Sequence, residues 1–131
     1  MKFYRQKGPM DCGWAVLSMI SGCKVHGTDG LSVNQMSDKL HELTSTLWEV
    51  KNTPPDDDPE QPIAINDLTY TDDAIVLLIT PENTPFIPTE PFIAHWIIKK
   101  RNTFYDPEMP VPLDIGEYPK QHWHYLRWIS R

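Results

Sequence analysis

One cysteine of the sequence lies where a thiol can be made nucleophilic. Cys12 follows a short loop over residues 8–11 and begins an apolar run that predicts a helix over Cys12–Ser21. The first N–H groups of a helix and the positive end of its dipole stabilise a thiolate. Asp11 is placed to cap this helix, and we expect Gly13 to leave room for a substrate backbone. A nucleophilic cysteine at this position still needs a base.

Three further polar residues supply what such a cysteine requires. His95 interrupts an otherwise apolar strand, where a polar ring needs a partner, and it is the candidate base. Asp106 follows a tight turn onto the next strand, from which its carboxylate can fix the imidazole tautomer. Gln6 lies in a polar segment before Cys12, and its amide could join the Cys12 backbone N–H in binding an oxyanion. These residues predict acyl-transfer chemistry at a thiol.

The same four residues resemble the active site of a known superfamily. Gln6, the DCGW run that begins at Asp11, His95 in FIAHWII and Asp106 in FYDP follow the order found in papain-fold cysteine peptidases. The resemblance is strongest to the branch that includes the double-glycine-leader, bacteriocin-processing peptidases. It implies a minimal papain-like fold. It also implies an enzyme that hydrolyses a peptide, isopeptide or other amide bond in a protein or peptide substrate. It implies no metal and no organic cofactor.

Other interpretations of these residues stay open. The alternative function is a papain-fold binding module that has lost activity and only presents its groove to a partner. Cys12 would then be an inert thiol, His95 a satisfied core histidine and Asp106 the first residue of an Asp-Pro turn. Cys23 is expected to pack in the core. A zinc site built from Cys12, Cys23 and His26 would lack both a common ligand spacing and a fourth ligand.

The composition is that of a folded protein with an acidic surface. The 131 residues are 40% hydrophobic and carry a net charge of −6, which argues against a general nucleic-acid or membrane-surface binder. A local basic patch stays open because Lys2, Arg5 and Lys7 lie together at the N-terminus. From the absence of a long apolar run we expect neither a membrane-spanning segment nor a signal peptide. Two cysteines form no disulfide framework, so we expect a cytoplasmic location.

The periodicity of apolar residues predicts the elements that position the site. Helices are expected over 12–21 and 32–50, the second with Ser32 as its N-cap. Strands are expected over 74–80, 92–99 and 122–129, with residues 100–102 forming a tight turn into 103–106. Helices before antiparallel strands indicate an α+β fold, with N-terminal helices packed on a small antiparallel sheet. Residues 1–131 form one domain on this interpretation.

The middle of the chain is rich in proline. Eight of the 13 prolines lie between residues 54 and 91 and indicate two long loops. The first loop carries the acidic run over residues 56–58. That run is either a solvated surface or a rim that selects basic substrates.

Overall fold

The computed structural model describes residues 1–8, 11–27, 30–52, 75–80, 95–120 and 123–130. In this part of the chain, two helices precede a six-stranded antiparallel sheet, which confirms the α+β class. The elements in chain order are α1 (Cys12–Ser21), α2 (Val33–Thr44), β1 (Glu49–Asn52), β2 (Ile75–Thr80), β3 (His95–Lys100), β4 (Thr103–Tyr105), β5 (Leu113–Asp114) and β6 (His124–Ser130). Both proline-rich loops predicted between residues 54 and 91, and residues 92–94 of the strand predicted over 92–99, lie outside the described residues.

Helix α1 has the predicted bounds. It ends at Gly22, which adopts the left-handed conformation (φ 75°) and donates its N–H to the Ser18 carbonyl. The expectation for the Asp11 side chain is wrong, because this carboxylate makes no cap hydrogen bond to α1. It turns back and accepts the backbone N–H groups of Lys7 and Gly8, each at 2.9 Å. Asp11 therefore fixes the loop that leads into the helix.

Helix α2 begins as predicted but ends earlier. Ser32 and Gln35 form a reciprocal capping box at its start. The helix ends at Thr44, because Ser45 adopts a left-handed conformation (φ 56°) and the chain reverses. The predicted continuation to Val50 is therefore wrong. Trp48 instead turns inward and donates its indole N–H to the Thr44 hydroxyl, after which the chain enters β1.

The strands pair in the order β1-β6-β2-β3-β4-β5. Strands β2 and β3 confirm the predicted buried strands, and Ile79 lies opposite His95 at the end of their pairing. The predicted turn between β3 and β4 is also present, with Arg101 in the left-handed region (φ 56°). This tight hairpin brings the residue that follows β4 alongside β3.

Alternate residues of the sheet face two apolar clusters. On one face, Val76, Trp96 and Ile98 pack with side chains of both helices. On the other face, Leu77 and Ile97 pack with residues that follow β3, including Phe104 and Tyr118. Because the helices cover one face only, α1 is held against β3 and its first residue lies near the site described below. No helix in the described ranges is long and apolar enough to cross a membrane.

The expectation for Cys23 is wrong. Its side chain is exposed and not packed in the core. The helix ends at Ser21 and Gly22 adopts the left-handed conformation, so Cys23 lies beyond α1 and does not share a helix face with Val16. Both cysteines are free thiols.

Candidate active site

A buried histidine–carboxylate pair lies where β3 begins. Nε2 of His95 lies 2.5 Å from Oδ1 of Asp106, and both side chains are almost fully buried. His95 opens β3, and Asp106 directly follows β4, so the hairpin sets their distance. The sequence predicts these residues on adjacent strands, and the structure brings them into contact. Since Asp106 occupies Nε2, Nδ1 is the ring nitrogen left for other partners.

All acceptor positions of the Asp106 carboxylate are filled. Oδ1 accepts from His95 and from the backbone N–H of Glu108, the latter at 2.9 Å. Oδ2 accepts the Tyr118 hydroxyl at 2.6 Å and the Lys120 ammonium at 2.9 Å. A carboxylate has about four lone-pair positions, and each one here has a donor. Asp106 is therefore fixed in one orientation and carries its charge at zero exposure.

These contacts control the protonation of Asp106. Burial by itself raises the pKa of a carboxyl group. The hydrogen bond and charge of His95 act in the opposite direction, together with Tyr118 and Lys120, and hold the pKa of Asp106 well below its usual range. Burial and the Asp106 charge raise the pKa of Tyr118, so its hydroxyl stays protonated and donates. The carboxylate is ionised throughout the neutral pH range.

Cys12 enters the site through His95. Burial alone lowers the pKa of the His95 imidazole, but the Asp106 hydrogen bond, the interaction with Cys12 and the charge of Asp106 raise it to about 9. The ring is therefore protonated at neutral pH. Asp106 and Cys12 thus act on one imidazole, Asp106 through a direct hydrogen bond and Cys12 through its effect on the pKa of the ring.

Close packing at Gly13 permits this approach of α1 to the sheet. A methyl group at Gly13 would lie 3.0 Å from Leu31 Cδ1 and 3.2 Å from Trp96 Cδ1. Gly13 is buried in the core, so the expectation that it leaves room for a substrate backbone is wrong. Its missing side chain instead lets the first turn of α1 lie against Trp96, the neighbour of His95.

Gln6 is anchored beside the pair but faces the N-terminal loop. Its backbone N–H donates to the Pro107 carbonyl at 3.0 Å, which ties the N-terminal segment to the residue after Asp106. Its side-chain Nε2 donates to the Gly8 carbonyl at 2.9 Å, while Oε1 is buried without a hydrogen-bond partner among the described residues. None of these contacts joins the Gln6 amide to Cys12. One N–H of the amide is left for a ligand.

Tyr118, Lys120 and Glu108 belong to the site and were not found from the sequence. Lys120 lies between two carboxylates, at 2.9 Å from Asp106 and 2.6 Å from Glu108. Glu108 is half-exposed, and its Oε1 lies 3.8 Å from Nδ1 of His95. The only available signal was their proximity to Asp106 along the chain, which does not distinguish a buried lysine from a solvated one.

Three side chains of the candidate active site also have the spacing of a metal site. Ligand atoms of His95, Asp106 and Glu108 lie within 4.8 Å of one another. However, the Lys120 ammonium already binds both carboxylates and places a positive charge between them. The donor set therefore fits an ion-pair network better than a divalent cation.

No protein family description matches this chain, and no curated protein sequence matches it significantly.

Proposed function

We propose that this protein is a papain-like cysteine hydrolase that cleaves a peptide, isopeptide or other amide bond. The observation that carries the proposal is the buried His95–Asp106 pair, whose imidazole pKa is also raised by Cys12 at the start of α1. A thiol at a helix start, an imidazole that is protonated below about pH 9 and a fixed carboxylate are the parts that thiol acyl transfer needs. A helix that begins at the cysteine and packs on an antiparallel sheet also supports the papain-like fold.

In the proposed reaction, the Cys12 thiolate attacks the scissile carbonyl carbon. The new C–S bond forms as the carbonyl electrons move to oxygen, and the oxyanion accepts the Cys12 backbone N–H, which lacks an intrahelical acceptor at this position. The free N–H of the Gln6 amide is the second proposed donor. When the C–N bond breaks, the leaving amine takes the proton held by His95. A thioester on Cys12 remains.

Hydrolysis of the thioester reverses these roles. His95, now neutral, takes a proton from water as the oxygen attacks the thioester carbon. The C–S bond breaks, the acid product leaves, and Cys12 and His95 return to thiolate and imidazolium. Asp106 holds the ring through Nε2, so Nδ1 performs both proton transfers.

The proposed substrate is a protein or peptide, and the proposed location is the cytoplasm. The reaction needs Cys12 as a free thiol, and a reducing compartment keeps it in that form. The acidic run over residues 56–58, an alternative determinant of specificity, lies outside the described residues.

The test is cleavage of a diverse peptide library by the full chain, read by mass spectrometry. We expect new termini with wild type and none with Cys12→Ala, since no other group supplies the nucleophile. Cys23→Ala is the matched control, because Cys23 is exposed and removing it leaves the site intact. Cleavage that survives in Cys12→Ala, or a wild type that cuts neither peptides nor isopeptide-linked conjugates, would refute the proposal. The latter result would favour the inactive binding module.

A further inference from the structure

A group of basic residues lies beside the candidate site. Arg5, Lys7, Lys24 and His26 line one shallow depression next to the start of α1, and all four side chains are exposed. We call these four residues the basic face. Two of them come from the N-terminal segment and two from the loop after α1, so the fold brings together charges that are distant in sequence.

The described residues do not neutralise the basic face with ion pairs. Lys7 and Lys24 line the same depression, and the nearby Lys7, followed by burial and the charge of Lys2, lowers the pKa of Lys24. Among the described residues, no carboxylate lies within ion-pair distance of Lys7 or Lys24. Asp11 lines the same depression and accepts two backbone N–H groups, so its single negative charge stands against the positive charges of Arg5, Lys7 and Lys24. Adjacent cations that outnumber the nearby carboxylates are a binding surface for an anion.

This surface is continuous with the site. Asp11, in the depression, directly precedes Cys12. On the other side, Nη2 of Arg5 lies 3.5 Å from the Glu108 carbonyl, two residues after Asp106. The basic face therefore borders both the nucleophile and the segment that holds the histidine partner.

We propose that the basic face binds an acidic segment of the polypeptide substrate as it lies across Cys12. That the ligand is a substrate rests on the proposed function, whereas the binding itself rests on the geometry above. A polypeptide fits better than a nucleic acid, because the chain carries 18 acidic against 12 basic side chains and would repel a polyphosphate beyond this small surface. One Asp or Glu carboxylate of such a segment can form an ion pair with each positively charged side chain of the basic face.

The binding test uses the Cys12→Ala chain and fluorescein-labelled octaglutamate, followed by fluorescence anisotropy. We expect saturable binding that disappears at about 1 M salt, where the screening length is about 3 Å. Lys24→Glu should lower the affinity for octaglutamate about tenfold or more, because the attraction between Lys24 and the peptide becomes a repulsion. Arg101→Glu is the matched control, since it makes the same charge change in the β3–β4 turn, away from the depression, and should leave the affinity nearly unchanged.

Two competing ligands and one protection experiment complete the test. Octalysine should not bind the basic face, and a single-stranded oligonucleotide of equal charge should bind more weakly than octaglutamate. Octaglutamate should also slow the reaction of wild-type Cys12 with iodoacetamide without slowing that of Cys23. Equal affinities for Lys24→Glu and Arg101→Glu, tighter oligonucleotide binding, or binding without protection of Cys12 would each overturn the inference. None of these readouts requires cleavage, so their failure is distinguishable from failure of the hydrolase proposal.

Discussion

The Tyr118 hydroxyl donates a 2.6 Å hydrogen bond to Oδ2 of Asp106, while His95 takes the other oxygen, Oδ1. The carboxylate is thus held from two sides, and the ring of Tyr118 is itself stacked on Phe104, with 4.6 Å between centroids. A fixed Tyr118 fixes Asp106, and a fixed Asp106 fixes the imidazole. This relationship makes Tyr118 a positioning residue of the proposed hydrolase.

Tyr118→Phe removes this hydrogen bond but keeps the ring stack. We expect a loss of about 1.5–3 kcal/mol in the free energy of unfolding, the usual contribution of a hydrogen bond to a charged group. Turnover should fall severalfold with KM little changed, because the substrate does not touch Tyr118. Urea unfolding and steady-state kinetics measure the two effects. A variant as stable and as active as wild type would show that Asp106 does not depend on Tyr118.

Asp106→Asn is expected to destabilise the folded protein strongly, although an asparagine side chain has nearly the same shape as an aspartate. Every position around the carboxylate has a donor, so the amide nitrogen must face two donors, either His95 with the Glu108 N–H or Tyr118 with Lys120. We expect a loss of about 3–5 kcal/mol, as when one partner of a buried ion pair is removed.

Adding Lys120→Met to Asp106→Asn should restore part of that stability. The Tyr118 hydroxyl can then rotate and accept the amide N–H, which Lys120 cannot do. A double-mutant cycle in urea should give a favourable coupling of about 1–3 kcal/mol. Additive losses would contradict the contact pattern around Asp106.

The pH dependence of stability follows from His95. Its pKa is about 9 in the folded protein and 6.5 without the structure, so the proton is bound more tightly when the chain is folded. The resulting stabilisation is complete below about pH 6.5 and is lost as the pH rises towards 9. The difference in unfolding free energy between wild type and His95→Gln should therefore shrink across this window. A difference that stays constant between these pH values would show that His95 is not protonated as described.

Local patterns were sufficient to predict the elements that carry the proposed triad. The apolar run behind Cys12, the β-branched strand around Ile75–Thr80 and the turn at Arg101 each depend on neighbouring residues only. These predictions placed His95 and Asp106 on adjacent strands of one hairpin, and in the structure His95 opens β3 while Asp106 directly follows β4.

The features that were missed depend on contacts between distant parts of the chain. Helix α2 ends early because Trp48 is buried against it and β1 pairs with β6, at the far end of the sequence. Lys120 is buried because Asp106 and Glu108 provide its counter-charges. Neither the spacing nor the type of these residues shows such partners in advance.

Turnover of the proposed hydrolase should also fall at alkaline pH. The leaving amine takes its proton from His95, and that proton is lost above about pH 9. We expect kcat to decline there, as measured with a cleavable peptide over a pH series in which the fold is shown by circular dichroism to persist. A plateau well above that pH would assign the proton donor to another group.

The most direct test of the central claim compares the two cysteines within one molecule. Cys12 is partly buried and Cys23 is exposed, so access alone favours Cys23. At pH 6 an ordinary thiol is less than about 1% thiolate and reacts slowly. Alkylation by iodoacetamide at that pH, followed by mass spectrometry, should label Cys12 faster than Cys23 in wild type, and this advantage should disappear in His95→Ala. Faster labelling of Cys23 in the wild-type protein would contradict a thiolate on Cys12 and with it the proposed nucleophile.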